Sequence, residues 1–587
     1  MTLFSQNKEY KKYIIAGFVV FIAVVLTLFN RWESSGESWI YWFFARIFAE
    51  GGGFIILDRS PLYILYLNVF HWIGYPYSVT IEYLITSFIT VISIIVLFKR
   101  YLGLWLAVFA AILWLPYLQS SEPHVQSLAL ACSCFAIVAR QSENRRVRFA
   151  SSYALFVLSF MFRITYIIFI FVFLSWDIYR VMKRGGLKVL VKTVRPQKAD
   201  WPIVFVSVLF IWFVMMQSSH PWNNGWVSPT EWFPGGGKSL PAASVIQDYN
   251  TYYISTKYGT FEGHDFYFTN QQLFKGATDI KGAILANPKY VIEQLERNVT
   301  GIIPVAASLT SANLLFSSIS VLSLRAPILL IFALTVIYGA FRSAKNESMT
   351  LFVVANLLTV GAFVIAVPRS RYMVPLVPIL IMSAYWYGSQ MQGFMQSTIK
   401  KILHPDNNNS GSDRRNWVSA ILNLLAVPSF LILFSFGAII WIVLIRNVLN
   451  DLQHEKIHVL ESRSDSMKES FQSIIPLIQD CKGIMSLEYT FIGAFMNVPI
   501  DNIYAVFEIP PFGKLGDPDY NGLRPDRIDC LLVSNNLMTN PGQSTNYGIR
   551  YQNYIKPYMA ELLGMGAALF ELPDYGKVII YSQNNPG

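Results

Sequence analysis

Charged residues are scarce in this sequence. Only 14% of its 587 residues are Asp, Glu, Lys or Arg, whereas 53% are hydrophobic. Soluble domains carry about 25% charged residues, so the composition predicts a polytopic membrane protein instead. The net charge of +10 does not indicate a nucleic-acid partner, because membrane proteins concentrate Lys and Arg in their cytoplasmic loops.

Cysteine and the common metal and nucleotide motifs are also scarce or missing. Of the four cysteines, Cys132 and Cys134 lie in an apolar run typical of a core, while Cys481 and Cys530 could pair in an oxidising compartment. The sequence has no CxxC or HExxH pattern, and no GxGxxG follows a strand-like run in its polar C-terminal part. No small-residue cleavage site follows the apolar run 13–29, which predicts a retained anchor.

Long apolar runs recur along most of the chain. A span needs roughly 20 apolar residues, and this criterion predicts about eleven membrane helices. The predicted spans are 13–30, 78–98, 103–120, 123–140, 149–163, 164–180, 202–219, 326–342, 349–367, 372–390 and 417–446.

Every second loop between these spans is short and basic. The basic positions are Lys8, Lys11 and Lys12; Lys99 and Arg100; Arg140 to Arg148; Arg180 to Lys198; Arg342 and Lys345; and Lys400 to Arg415. The positive-inside rule predicts that these loops and the N-terminus are cytoplasmic and that the C-terminus lies outside. A span at 301–324 would reverse the later loops, so we interpret that segment as re-entrant or interfacial.

This topology divides the chain into two parts. Residues 1–449 form the predicted membrane domain, with outer loops at 31–77 and 220–300. Residues 450–587 are predicted to form an α/β domain outside the membrane, with strands near 503–509, 528–533 and 577–582 and a helix near 551–563. The aromatic residues of loop 220–300 suit either sugar contacts or an interfacial cap, and residues 287–300 have the pattern of an amphipathic helix.

Acids and arginines from distant positions collect on the predicted outer face. Glu33, Glu37 and Glu122 are acidic, while Arg163 and Arg371 border short apolar runs. A carboxylate can accept a proton from an acceptor hydroxyl, and Arg can stabilise a phosphate leaving group. The set therefore favours transfer from a phosphate-linked lipid. Each of these residues also has a structural alternative. The acids of the first loop could be solvated charges of an interfacial helix, Arg163 could snorkel to the headgroups, and Glu122 could be a helix N-terminal acid. A transporter of an anionic substrate would also fit this set of residues.

Several of these segments resemble one known family. Glu37, Tyr41 and Ala45 have the spacing of the first outer loop of GT-C superfamily membrane glycosyltransferases, of the protein mannosyltransferase and aminoarabinose transferase kind. Other similar segments follow in the family's order: Arg59-Ser-Pro-Leu-Tyr63, Glu122-Pro123, the lone Arg163, and Arg371-Tyr372 with the prolines after it. The resemblance covers residues 13–390.

The resemblance implies a GT-C bundle in the plasma (inner) membrane. It implies inverting transfer of a hexose or pentose from a polyprenyl-phosphate donor to a glycan or lipid acceptor on the outer face. Carried over to this sequence, Glu37 is the base or the acid that orients the acceptor, and Glu122 is a second acid. Arg163 and Arg371 would meet the donor phosphate.

The remaining matched residues extend these roles. Arg59 and Tyr372 fall on the donor-phosphate side, and Tyr41 and Tyr63 on the acceptor and loop side. The sequence departs from the family because Glu37 replaces the usual Asp and Ser38 replaces the usual next acid. Glu33 could therefore act with Glu37 or in its place. A divalent metal, which some members use, is less well supported without the paired acids, and no residue is assigned to it.

Other classes of function stay open. A transporter or flippase of a lipid-linked sugar would be expected to show internal repeats and broken helices, and the sequence shows no convincing repeat. A glycan polymerase or ligase of another fold and a non-catalytic scaffold are further alternatives.

Overall fold

The computed structural model describes part of the chain. The described residues are 2–28, 36–50, 60–74, 77–120, 124–144, 147–194, 205, 209, 249–250, 252–254, 256–257, 266–277, 280–307, 322–363, 370–403, 432, 438–439, 441–446, 475–486, 492–494, 498–499, 502–505, 523–534, 551–572 and 576–581.

Within the described residues up to Leu403, all regular elements are helical. They are α1 (Thr2–Leu28), α2 (Gly36–Ala49), α3 (Pro61–His71), α4 (Tyr77–Leu102), α5 (Leu104–Ser120), α6 (Val125–Arg140), α7 (Ser152–Phe162), α8 (Ile167–Val194), α9 (Phe266–Phe274), α10 (Ile280–Ala286), α11 (Pro288–Ala307), α12 (Leu322–Ser343), α13 (Glu347–Ala362) and α14 (Leu376–Leu403). A π-helical turn at Val147–Ser151 precedes α7, and 3-10 turns at Ile164–Tyr166 and Ser370–Met373 precede α8 and α14.

The helices coincide with most of the predicted spans. Every predicted span except 202–219 and 417–446 overlaps one of these helices, and the few described residues of those two spans (205, 209, 432, 438–439 and 441–446) are also helical. In the described part of the chain, Tyr77–Leu102 and Ile164–Lys183 are long and apolar enough to cross a membrane by length and composition. The amphipathic pattern at 287–300 is confirmed as α11, which continues to Ala307 into the predicted re-entrant segment; residues 308–321 of that segment lie outside the described part.

The outer surface of α1 is strongly apolar. Ile14, Phe18 and Phe21 are exposed on it, whereas Val20 and Val24 of the same helix are buried. Exposed apolar side chains continue on α4, α5, α8 and α12. Many exposed large apolar side chains on the helices of one bundle are expected where it contacts a membrane or a partner, and they agree with the predicted lipid-facing bundle.

A buried ion pair joins the last residue of α6 to the first half of α8. Nη2 of Arg140 donates to both carboxylate oxygens of Asp177 at 2.7 and 2.9 Å, and the Tyr153 hydroxyl donates to Asp177 at 2.7 Å. The guanidinium also lies 4.8 Å from the centroid of the Phe173 ring. Arg140 ends α6, so this pair joins α6 to α8 at the end of α6 opposite Val125.

The described C-terminal residues, Ile475 to Tyr581, contain a small mixed sheet, and we call them the C-terminal unit. It comprises α15 (Ile475–Gln479), β1 (Ile484–Ser486), β2 (Ile503–Ala505), β3 (Cys530–Ser534), α16 (Lys556–Gly564), β4 (Ala568–Leu572) and β5 (Gly576–Ile580). The strand order is β2-β1-β3-β5-β4. Strand β1 is parallel to β2 and β3, whereas β5 is antiparallel to β3 and β4.

The two faces of this sheet belong to different cores. Along β3, Leu531 and Val533 pack with α16 in one core, while Cys530 and Leu532 belong to the large core that also contains α2. The alternation follows the two-residue period of a strand. The sheet is therefore attached to the helical part through one face.

The structure confirms strands at three predicted places and adds two. The predicted runs near 503–509, 528–533 and 577–582 overlap β2, β3 and β5, and the predicted helix 551–563 overlaps the π-helical turn Tyr551–Ile555 and α16. Cys481 and Cys530 form a disulfide, with their Cα atoms 6.1 Å apart. The boundary at 449/450 falls outside the described residues and stays a prediction.

Candidate functional site

A buried polar cluster joins α3, α4 and the start of α6. The carboxylate of Glu82, only 2% exposed, accepts hydrogen bonds from the hydroxyls of Tyr63 at 3.3 Å and Thr86 at 2.9 Å. Nδ1 of His124 lies 3.2 Å from each of its two oxygens. A buried carboxylate is costly without such partners, so the cluster fixes how these three helices meet.

Helix α2 reaches this cluster through an aromatic contact. The ring of Tyr41 meets that of Tyr63 edge to face, with centroids 5.3 Å apart, and both residues are buried. Glu37 precedes Tyr41 by four residues, which is about one turn of the same helix. The predicted acid therefore stands in the first turn of the helix whose Tyr41 packs against the Glu82 cluster.

Arg163 lies between α7 and α8 on a platform of two aromatic rings. Phe363 and Tyr372 stack with centroids 4.4 Å apart and an interplanar angle of 4°. The guanidinium carbon of Arg163 lies 5.6 Å from the Tyr372 centroid and 6.0 Å from that of Phe363. Its Nε is buried and has no hydrogen-bond partner among the described residues.

The local backbone explains the position of Arg163. Helix α7 ends at Phe162, and Arg163 adopts an extended conformation (φ −150°, ψ 119°) before the 3-10 turn Ile164–Tyr166. The backbone N–H of Arg163 still donates to Ser159 at 2.9 Å. The break turns the chain from α7 into α8 and sets this cation at the junction of two helices.

Tyr66 connects the acidic cluster with the arginine. Its hydroxyl shares a 2.9 Å hydrogen bond with Thr86, which in turn donates to Glu82. Its ring meets Phe162, the residue before Arg163, at a centroid distance of 6.5 Å. Burial and the charge of Glu82 raise the pKa of Tyr66, opposed in part by the bond to Thr86, so its phenol stays protonated at neutral pH.

The structure thus brings together part of the predicted site. Tyr41 and Tyr63 meet in one cluster, and Arg163 and Tyr372 meet in the other. Glu37 lies in α2, and Arg371 lies in the 3-10 turn next to Tyr372; their side chains lie outside the described part. Glu33, Arg59 and Glu122 also lie outside the described residues.

Sequence reasoning missed the acid and the histidine of the Glu82 cluster, as well as Thr86. Glu82 is the single acid within the predicted span 78–98, and an ionisable group in a span is a functional candidate by default. His124 stands two residues after Glu122. Both signals were present in the sequence, but only the structure shows that the two side chains meet.

In the part of the chain that the structure describes, the one cluster of potential metal ligands does not fit a metal ion well. Among the described residues, the side chains of Cys481, Asp529 and Cys530 form a cluster of three potential ligands. The two sulfurs are joined in the disulfide. The Asp529 carboxylate accepts from the backbone N–H groups of Lys482 at 3.1 Å and Gly483 at 3.0 Å. These donors are already committed to the local fold.

Comparison with known proteins gives one structural likeness. No protein-family model matches the chain, and no curated protein matches it significantly. A crystal structure of ArnT from Cupriavidus metallidurans bound to undecaprenyl phosphate aligns with 98% of this chain and 99% of that chain, at 11% sequence identity and a TM-score of 0.47. A likeness at this level carries no conclusion about function, so we base the function on the side chains of this chain.

Proposed function

We propose that this protein is a membrane glycosyltransferase. It would move a sugar from a polyprenyl-phosphate donor to a glycan or lipid acceptor at the outer face of the plasma membrane. The observation that carries the proposal is the contiguous path from Tyr41 through the Glu82 cluster and Tyr66 to Arg163. This path connects α2, the helix that carries Glu37, with Arg163, a cation suited to a phosphate.

In the proposed reaction, the carboxylate of Glu37 takes the proton from the acceptor hydroxyl. The hydroxyl oxygen forms a bond to the anomeric carbon of the sugar from the face opposite the phosphate. The bond between that carbon and the phosphate oxygen breaks, and its electron pair stays on the phosphate. The configuration at the anomeric carbon is therefore inverted.

Arg163 and Arg371 would stabilise the charge that develops on the phosphate. A guanidinium can donate two parallel hydrogen bonds to a phosphate. The buried Nε of Arg163, which has no hydrogen-bond partner among the described residues, adds donor capacity there. The stacked rings of Tyr372 and Phe363 hold the guanidinium by cation–π contact. Arg59 belongs to the same proposed phosphate-binding group.

The acidic residues would have different roles. Glu37 is the proposed base, with Glu33 as its substitute and Glu122 as a second acid near the reacting atoms. Glu82 is buried and bonded to Tyr63, Thr86 and His124, so we propose that it orders the helix ends around the site. Tyr63 and Tyr41 would then line the acceptor side in fixed positions.

We propose a reaction that needs no divalent metal. Glu37 is followed by Ser38, so the first loop does not offer two adjacent carboxylates. Treatment of the purified protein with EDTA should leave transfer unchanged. Loss of transfer on chelation, restored by Mg²⁺ or Mn²⁺, would refute this part of the proposal.

The second candidate is a transporter of a lipid-linked sugar or another anionic substrate. The arginine on its aromatic platform suits such a substrate equally well, because binding an anion does not require chemistry. The two functions differ in their product: a transporter moves the donor intact, whereas a transferase releases the polyprenyl phosphate.

The test is transfer of labelled sugar from a panel of polyprenyl-phosphate donors by the purified protein in lipid. We expect one donor to release its carrier phosphate, and we expect Glu37→Gln to abolish the release while the protein remains folded. Full activity in Glu37→Gln with Glu33 intact would refute the role of Glu37. Movement of intact donor across a vesicle membrane without release would favour the transporter.

A further inference from the structure

A buried arginine fastens the C-terminal unit to α2. Arg46, in the last turn of α2 and 7% exposed, donates to the backbone carbonyls of Gly493 at 2.9 Å and Val498 at 2.6 Å. Its Nε donates to Glu50 at 2.8 Å. Hydrogen bonds from a charged donor are the stronger kind, and these two carbonyls lie more than 440 residues away along the chain.

The packing beside Arg46 is equally close. The ring of Phe43, 1% exposed, occupies the space that a Cβ atom on residue 493 would need. Glycine at 493 therefore lets the C-terminal unit approach α2 directly. Ile492, Ala494 and Val498 belong to the same core as Phe43, so the contact is apolar as well as hydrogen-bonded.

The opposite side of α2 is held by α3. Nδ2 of Asn68 donates to the carbonyl of Ala45 at 3.0 Å, and Tyr41 packs on Tyr63. Helix α2 therefore lies between α3 and the C-terminal unit. Glu37 is nine residues before Arg46 in this helix, about 13 Å along its axis, so a shift at one end of α2 is transmitted to the other.

We propose that the C-terminal unit positions the proposed catalytic helix, and that Arg46 and Gly493 are the positioning residues of this contact. The inference rests on the proposed function, because it concerns the placement of Glu37. The C-terminal unit would then act on the chemical step through α2. Donor binding at Arg163, which lies between α7 and α8, would not depend on this contact.

Two glycine substitutions in the same unit separate this role from a general loss of stability. Gly493→Ala puts a methyl group against the Phe43 ring, whereas a Cβ on Gly564, in α16, meets no atom within 4 Å. We expect Gly493→Ala to lower kcat by about 10- to 100-fold, since a displacement of about 1 Å at a catalytic group has this effect. The KM for the donor should change little, and Gly564→Ala should match wild type.

A double variant tests the contact itself. Phe43→Leu removes the ring that the new methyl group meets, so Gly493→Ala combined with Phe43→Leu should recover kcat relative to Gly493→Ala alone. Limited proteolysis of the full chain reports docking without activity: the C-terminal unit should be cleaved faster in Gly493→Ala than in Gly564→Ala.

The outcomes are distinguishable. If wild type transfers sugar and Gly493→Ala keeps the wild-type kcat, the positioning role is wrong while the proposed function stands. A loss confined to donor KM, or an equal loss in Gly564→Ala, also overturns the positioning role. If wild type transfers no sugar from any donor, the proposed function fails and this inference fails with it.

Discussion

Replacement of Glu82 should reveal how strongly its buried cluster holds the helices of the site. Leucine fills a similar volume but accepts no hydrogen bond, so Glu82→Leu leaves Tyr63, Thr86 and His124 without this carboxylate. A buried donor left unpaired costs about 1–3 kcal/mol, and Glu82→Leu removes the acceptor of three donors. We therefore expect a loss of about 3–5 kcal/mol.

Glutamine at the same position provides the contrast. Glu82→Gln keeps a carbonyl oxygen for the two hydroxyls and turns an amide N–H₂ toward His124, whose Nδ1 then accepts. The expected loss is about 1 kcal/mol, the usual net contribution of one hydrogen bond. Glu561→Leu changes an exposed glutamate of α16 and is the control, expected within about 0.5 kcal/mol of wild type.

The assay is thermal unfolding of the full chain in lipid, followed by tryptophan fluorescence. The melting temperature should be highest for Glu561→Leu, lower for Glu82→Gln and clearly lowest for Glu82→Leu. A Glu82→Leu protein that melts with the control would refute the conclusion that the cluster stabilises the junction of α3, α4 and α6.

Three further predictions follow from the site and the C-terminal unit. Arg163→Gln removes the charge proposed to bind the donor phosphate, so it should raise the donor KM or abolish donor binding while the fold stays intact. Unchanged donor binding would show that Arg163 is not part of the phosphate site. The bond between Cys481 and Cys530, 49 residues apart, should contribute about 4 kcal/mol by loop closure, so unchanged melting in Cys481→Ser would contradict that estimate. Burial and, to a smaller extent, the charge of Arg46 lower the pKa of His71, and Glu50 opposes them. Because the unfolded chain then binds the proton more readily than the folded chain, the free energy of unfolding should fall as the pH drops below about 6.5. His71→Gln should lose less stability than wild type below this pH, and an equal loss in both proteins would refute the role of His71.

Local patterns were sufficient for the long apolar helices and for part of the site, whereas α2, α3, α9 and α10 lie in segments predicted as outer loops. Long apolar runs predicted α4 and α8 because the membrane imposes their length. Tyr41, Tyr63, Arg163 and Tyr372 were selected from short segments with recognisable spacing, and the structure brings them together in two neighbouring clusters.

Contacts between distant residues were beyond the sequence. Glu82 and His124 are 42 residues apart, and no local pattern pairs an acid in one span with an imidazole at the start of another. Nothing in the sequence around Arg46 distinguishes it from an ordinary basic residue near a helix end. Its partners, the carbonyls of Gly493 and Val498, lie in the C-terminal unit. Strands β1 and β4 were missed for a different reason: β1 has three residues, and β4 is largely exposed, so neither has a clear apolar alternation.

The most direct test of the proposed function is the release of polyprenyl phosphate from a labelled donor, measured in lipid for wild type and for Glu37→Gln. We expect wild type to transfer the sugar with inversion from one donor of the panel and the variant to transfer none, with the same melting temperature for both proteins. If neither protein releases carrier phosphate with any donor although both are folded, the proposed function is wrong.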